Sequence, residues 1–202
     1  MKLKKIFSEI TERLDEVDSE REEVLKISRK MTRLCGEAIK LLHRKNFEKY
    51  EEKLTQIKEI HAKMRDLVKK KPGLYSKYLK TPEQEYIEAT SLHAIFQGEE
   101  LQGPEEYGVD EVNYVLGLAD VIGELRRHAL DNMRVGNLEG IEEILDTMDT
   151  LYTHLFGLDY PKGIVRDLRH KTDVARTLIE KTRGDVSLSV QMDRLREDLK
   201  DI

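Results

Sequence analysis

Apolar residues in this 202-residue chain return at alternating intervals of three and four over distances that only long helices can satisfy. From about Ser8 to Arg44 the series is Ile10, Leu14, Val17, Val24, Ile27, Met31, Leu34, Ala38 and Leu41, interrupted only by Arg21. From Asn46 to about Lys70 it is Phe47, Tyr50, Leu54, Ile57, His61, Met64 and Val68. Seams this long predict helices packed lengthwise against one another. Four prolines and twelve glycines leave the stretches uninterrupted, and a charged fraction of 37% belongs to amphipathic helices rather than sheets. His61 occupies a seam position, which favours a hydrogen-bonded core histidine over a metal ligand. Cys35, the only cysteine, excludes an intrachain disulfide, favours a reducing compartment and sits beside Leu34 where a packing role is expected.

Local signals place the breaks. Ser8 or Thr11 offers a cap for the first helix, and Lys69-Lys70-Lys71-Pro72-Gly73 ends the second. After a short segment, Leu74–Lys80, Thr81-Pro82 opens a third helix that runs to about Leu101, where Gln102-Gly103-Pro104 stops it. Asp110 caps a fourth, ending at Gly136-Asn137. A fifth runs from Leu138 to near Gly157, and Pro161 opens a sixth from Gly163 to about Arg183. The tail 186–202 alternates briefly and then takes a weaker helical spacing. The reading is an all-α bundle of about six to seven long helices forming one domain over 1–202. Its apolar stripes, that of the first helix above all, are wide enough to predict subunit contacts. The N-terminus lacks a signal-peptide core and no segment approaches a membrane span, so a cytoplasmic protein is expected.

Two segments carry chemistry. Gln-Glu-Tyr-Ile-Glu-Ala at 84–89 places Glu85 and Glu88 at i,i+3, and Gly-Leu-Ala-Asp-Val-Ile-Gly-Glu-Leu at 117–125 places Asp120 and Glu124 at i,i+4. Each pair projects from one helical face. The first pair extends a stripe through Leu92, Ile95 and Phe96. The second shares its face with Asn113, Gly117 and Arg127, where Gly117 leaves room for a backbone or a ligand. Four carboxylates brought together would hold a hard divalent cation such as Mg²⁺, and a phosphodiester is the substrate such an ion most often serves. In a chain with 40 acidic residues, solvated faces and salt-bridge partners give the same pattern.

Other chemistries find no support. Di-iron bundles need Glu-x-x-His motifs, and the nearest segment is a single Asp167-Leu168-Arg169-His170. There is no phosphate-binding glycine loop, nucleophile elbow or zinc motif. Net charge is −5, so a polyanion would have to be held by a local basic patch. Lys69, Lys70, Lys71, Lys77 and Lys80 with Tyr75 and Tyr78 form one candidate, and Arg126, Arg127 and His128 another. An ordinary solvated loop and a charged helix end read the same way.

The blocks Gln-Glu-Tyr-Ile-Glu-Ala and Tyr-Val-Leu-Gly-Leu-Ala-Asp-Val-Ile-Gly-Glu-Leu, with Arg21-Glu22-Glu23 leading to Leu41-Leu42-His43-Arg44, resemble the translin superfamily, and more closely its translin-associated factor X branch. The likeness spans essentially the whole chain. It implies a helical subunit of a closed, hollow homo-octamer with RNA inside. It also implies a Mg²⁺-dependent endoribonuclease site, with Mn²⁺ able to substitute, formed by Glu85, Glu88, Asp120 and Glu124. Translin itself lacks the first-block acids and the aspartate, so retaining all four argues for a catalytic subunit. The short loop at Gln102–Asp110 and the missing basic extension imply a self-assembling archaeal-type relative, which puts a separate translin-like partner in doubt. Lys77, Lys80 and Arg127, with Tyr75 and Tyr78, are the expected RNA contacts. The alternative is a non-catalytic shell binding single-stranded RNA or DNA, its acids serving as ion-pair residues.

Overall fold

The computed structural model describes residues 2–199, 84% helical in all and without a strand. The chain divides into two compact units, 1–86 and 87–202.

The first unit is built on α1 (Lys2–His43) and α2 (Phe47–Lys70), joined by a tight turn. Lys45 takes φ 55° in that turn, and the Asn46 side chain accepts from the Lys49 N–H at 3.3 Å to cap α2. α1 starts six residues before the expected Ser8, because nothing ahead of Ser8 breaks a helix. Thr11 is therefore no cap, and its hydroxyl donates to the Phe7 carbonyl within the helix (2.9 Å). Burial begins only at Val24 and continues through Met31, Leu34, Cys35, Ala38, Ile39 and Leu42. Leu42 rather than Leu41 is the buried residue of the last turn. Ahead of Val24 the apolar stripe lies open, with Leu3 70% and Phe7 64% exposed.

Arg21 interrupts the apolar series for a structural reason. Its Nε donates to the Tyr78 hydroxyl at 3.3 Å, and its Nη1 bonds Asp18 and Glu22. After α2 the chain forms α3 (Pro72–Tyr75) and a 3₁₀ turn (Ser76–Tyr78), which fold back so that Tyr75 and Leu79 join Val24, Met64 and Val68 in one cluster. The Tyr75 hydroxyl donates to the Glu20 carboxylate (2.8 Å), which also pairs with Lys71. Burial and the Glu20 carboxylate push the Tyr75 hydroxyl up to about 12.

α4 (Lys80–Gln97) begins one residue before the expected Thr81 cap, with Pro82 in its first turn, and the unit boundary falls inside it, between Tyr86 and Ile87. Its first turn is anchored by Glu83, which is wholly buried. His61 Nε2 lies 3.0 Å and Arg65 Nη1 3.2 Å from its carboxylate. The His61 ring also packs on Tyr86, with centroids 5.3 Å apart. His61 is thus a satisfied core histidine, as its seam position predicted.

The second unit contains the rest of α4, then α5 (Pro104–Tyr107), α6 (Glu111–Arg134), α7 (Ile141–Phe156) and α8 (Leu168–Asp198). α4 stops four residues before the expected Leu101. Gly98 adopts φ 68° there, and the Glu99 N–H reaches the Ala94 carbonyl at 2.9 Å. Asp110 caps α6 as expected, accepting from the Val112 N–H at 3.0 Å. α6, α7 and α8 pack pairwise around Leu116, Val121, Ile122, Leu125, Leu145, Met148, Ala175 and Ile179. α7 begins three residues after Leu138, behind Gly140 at φ 73°. α8 begins five residues after Gly163, because the Pro161 carbonyl takes the Ile164 and Val165 N–H groups into a turn. It then continues unbroken into the tail, to Asp198. Residues 200–202 of that tail lie outside the described ones.

Replacing Glu83 by Ala leaves His61 and Arg65 without their buried counter-charge. Denaturant unfolding should show a loss of about 3–5 kcal/mol, and a loss under 1 kcal/mol would deny Glu83 its anchoring role. Tyr75 supplies a second check. Its hydroxyl has the higher pKa in the folded state, so its contribution is intact below pH about 10 and is lost as pH rises toward 12. Thermal melts of the parent should therefore fall in that window, and Tyr75→Phe should flatten the fall.

Candidate functional site

α6 positions Asp120 and Glu124. Its inner face is closed by Leu116, Ala119, Val121, Ile122, Leu125 and Ala129, all buried, together with buried Gly117. Asp120 and Glu124 follow one another a turn apart on the adjoining stripe and are half-buried, with side-chain exposures of 37% and 22%. Carboxylates partly withdrawn from water are stabilised by positive charge nearby. Asp120 bonds the ammonium of Lys171, in the first turn of α8, and that ammonium also donates to the Leu116 carbonyl at 3.3 Å. Glu124 accepts from Arg127 Nη1 at 3.3 Å. A groove of about 310 Å³ runs beside the first pair, lined by Ala119, Asp120, Gly123, His170, Lys171 and Leu178 among others.

Glu88 lies on the part of α4 in the second unit, half-buried between Ile87 and Ala89, which are both buried. Phe96, two turns on, stacks against His128 of α6 with centroids 4.3 Å apart. Glu85 is half-buried on the part of α4 that belongs to the first unit. All four acids are thus withdrawn from full solvent exposure. Among the described residues, no three of His, Cys, Asp and Glu come together in a way that could hold a metal ion. Asp120 and Glu124 nevertheless fit a hard cation in donor chemistry, and Asp120 already holds an ammonium. Mg²⁺ takes one or two carboxylates and keeps several waters, so a cage of three protein ligands is not required.

The expected RNA contacts divide. Lys77 is exposed and its ammonium stands 5.1 Å over the Tyr78 ring; Lys80 and Arg127 are exposed as well. Tyr78 is half-buried, with its hydroxyl engaged by Arg21. Tyr75 is a correction. At 2% exposed and bonded to Glu20 it is a core residue of the first unit, and its ring offers no face to a base. Arg126 is likewise committed, to Thr182 and Asp185, each at 2.9 Å. Two residues of consequence escaped the sequence reading. Lys171 lies 51 positions from Asp120 with no local signal linking them, and Glu83 looks like any first-turn acid until its burial is seen.

No helix among the described residues is long and apolar enough to cross a membrane. The Translin family model matches residues 19–184. An uncharacterized protein of Methanocaldococcus jannaschii is 40% identical over 91% of this chain and 82% of its own length. The translin-associated protein X homolog of Schizosaccharomyces pombe is 24% identical over 85% of this chain and 81% of its own. Among solved structures, the AfC3PO chain in its complex with duplex RNA superposes with a TM-score of 0.81 at 30% identity, covering 94% of this chain and 98% of that one. Matched along most of its length by the family model, and by a relative of 40% identity, the chain belongs to the Translin family.

Proposed function

We propose that the protein binds RNA and hydrolyses its phosphodiester bonds with the help of Mg²⁺, as a subunit of a hollow homo-octamer. The observation that carries the RNA half is the likeness, at 30% identity and near-complete coverage, to a chain solved with duplex RNA. The hydrolytic half is supported by the four acids, each half-buried at the position that the resemblance assigns to the family's nuclease site. The stripe of Leu3, Ile6, Phe7, Ile10 and Leu14 left open on α1 supports assembly, since exposed apolar runs of this kind mark interaction surfaces.

In this reading Asp120 and Glu124 are the residues of α6 that hold the ion, and Glu85 and Glu88 supply ligands, orient waters or act as base. The bound ion would polarise the phosphoryl group and lower the pKa of a water. α6 is fixed by burial of its opposite face, so its carboxylates are held without reorganisation. Lys77 in the 3₁₀ turn and Lys80 at the start of α4 contact phosphates, with Lys77 held over the Tyr78 ring. Arg127 bonds Glu124 in the structure, and in this reading it contacts phosphate once that bond opens.

A second reading has specific support. Asp120 with Lys171 and Glu124 with Arg127 are complete ion pairs, as a non-catalytic nucleic-acid-binding shell would have them. The two separate on one experiment: labelled RNA incubated with the protein in Mg²⁺, without it, and with EDTA. Cleavage in Mg²⁺ alone supports the nuclease; binding without turnover supports the shell.

Glu88→Gln and Asp120→Asn should each keep RNA binding and assembly while Mg²⁺-dependent cleavage disappears. Parental cleavage by either variant would remove that residue from the site. For binding, Lys77→Ala and Lys80→Ala should weaken affinity for all sequences alike. Each should also reduce the slope of log K against log salt by about 0.7 to 0.9. An unchanged slope would exclude that lysine as a phosphate contact.

A further inference from the structure

The Lys171 ammonium is placed against two oxygens of α6, the Asp120 carboxylate and the Leu116 carbonyl one turn before it (3.3 Å). Lys171 stands in the first turn beside Arg169 and His170 and four residues after the N-cap Asp167, at the helix end whose dipole opposes positive charge. Its stem lies along the groove between α6 and α8 next to Gly123 and Leu178, and its side chain is only 22% exposed. The chain thus holds a partly desolvated cation, at a helix N-terminus, against the Asp120 carboxylate of a second helix. A hard divalent ion at Asp120 would meet the same oxygens and the same charge.

We propose that Lys171 is the placeholder of the metal site: its ammonium neutralises and orients Asp120 while no metal is bound, and a divalent cation binds by displacing it. The proposal rests on the metal-site reading given above. Lys171 is a positioning residue in this role, acting through Asp120, and it sets the threshold of divalent ion at which the site fills. Displacement puts a charge of +2 where the ammonium placed +1, so the Asp120 carboxylate stays neutralised throughout. The freed ammonium remains beside the groove, where a phosphate is its natural acceptor.

Mn²⁺ binding to the full-length protein, followed by the electron paramagnetic resonance of the free ion, tests this without reference to cleavage. Lys171→Met keeps the stem and removes the charge, so it should bind Mn²⁺ about fivefold more tightly or better. Lys171→Arg should restore weaker binding, and Asp120→Asn should abolish it. Parental or weaker affinity in Lys171→Met, with Asp120→Asn still abolishing binding, overturns the placeholder and leaves the metal site standing. No Mn²⁺ bound by the parent, or binding indifferent to Asp120→Asn, overturns both. Should Lys171→Met fail to fold, the parental protein decides. Reductive methylation read by mass spectrometry should label Lys171 faster in saturating Mg²⁺ than in EDTA. Equal or slower labelling refutes displacement.

Discussion

Asp120 and Glu124 sit a turn apart on a helix whose other side is sealed in apolar packing, so neither carboxylate can turn fully into water. Two like charges a turn apart repel one another, and positive charge beside them relieves that repulsion. Lys171 supplies it from α8 and Arg127 from α6 itself. These cations differ in what they cost to remove. Arg127 is half-exposed and one turn away on the same helix, so losing its contact costs little beyond an i,i+3 pair. Lys171 is more enclosed and links two helices, so whatever replaces it must bring charge of its own.

The same demand shapes the first unit, where it has a structural purpose. Glu83 is buried completely, and His61 and Arg65 converge on it to fix the first turn of α4 against α2. A buried carboxylate with two directed partners holds a helix end in one register, because every other register strands a charge. Glu20 answers to the same physics at the edge, where Lys71 first and then Tyr75 draw its pKa below the ordinary carboxylate value. The helical turn that carries Glu85 therefore follows directly on an electrostatic lock.

What was legible in the sequence follows from what is local. Periodicity reveals α1 and α2, because burial of one helical face imposes spacing whatever the partner. Asp110 was readable as a cap because a short carboxylate before an apolar run satisfies the free amides of the first turn. Gly98 was not read as a stop, although its φ of 68° ends α4, because a glycine inside a continuing pattern looks the same as a tolerated one. α1 starts early because Ser8 and Thr11 act as caps only where the chain ahead leaves the helix. Tyr75 was misjudged for a related reason. Lysines on both sides made it look like a surface aromatic, and only the fold-back of α3 shows that it plugs the core. Lys171 and Glu83 were out of reach, because their meaning lies in partners 51 and 22 positions away.

The charge balance bears on how a chain of net −5 could receive RNA. Exposed cations such as Lys77 and Lys80 attract phosphate over a screened distance of about 10 Å, so only those on one surface reinforce each other. Half-buried carboxylates would repel the same backbone unless neutralised. Lys171 and Arg127 remove that repulsion at Asp120 and Glu124. The ion pairs that make the acids look structural are then also what makes their neighbourhood habitable for a polyanion. Both the binding shell and the nuclease need that condition met, and they differ only in whether a metal ion can take over the neutralising charge.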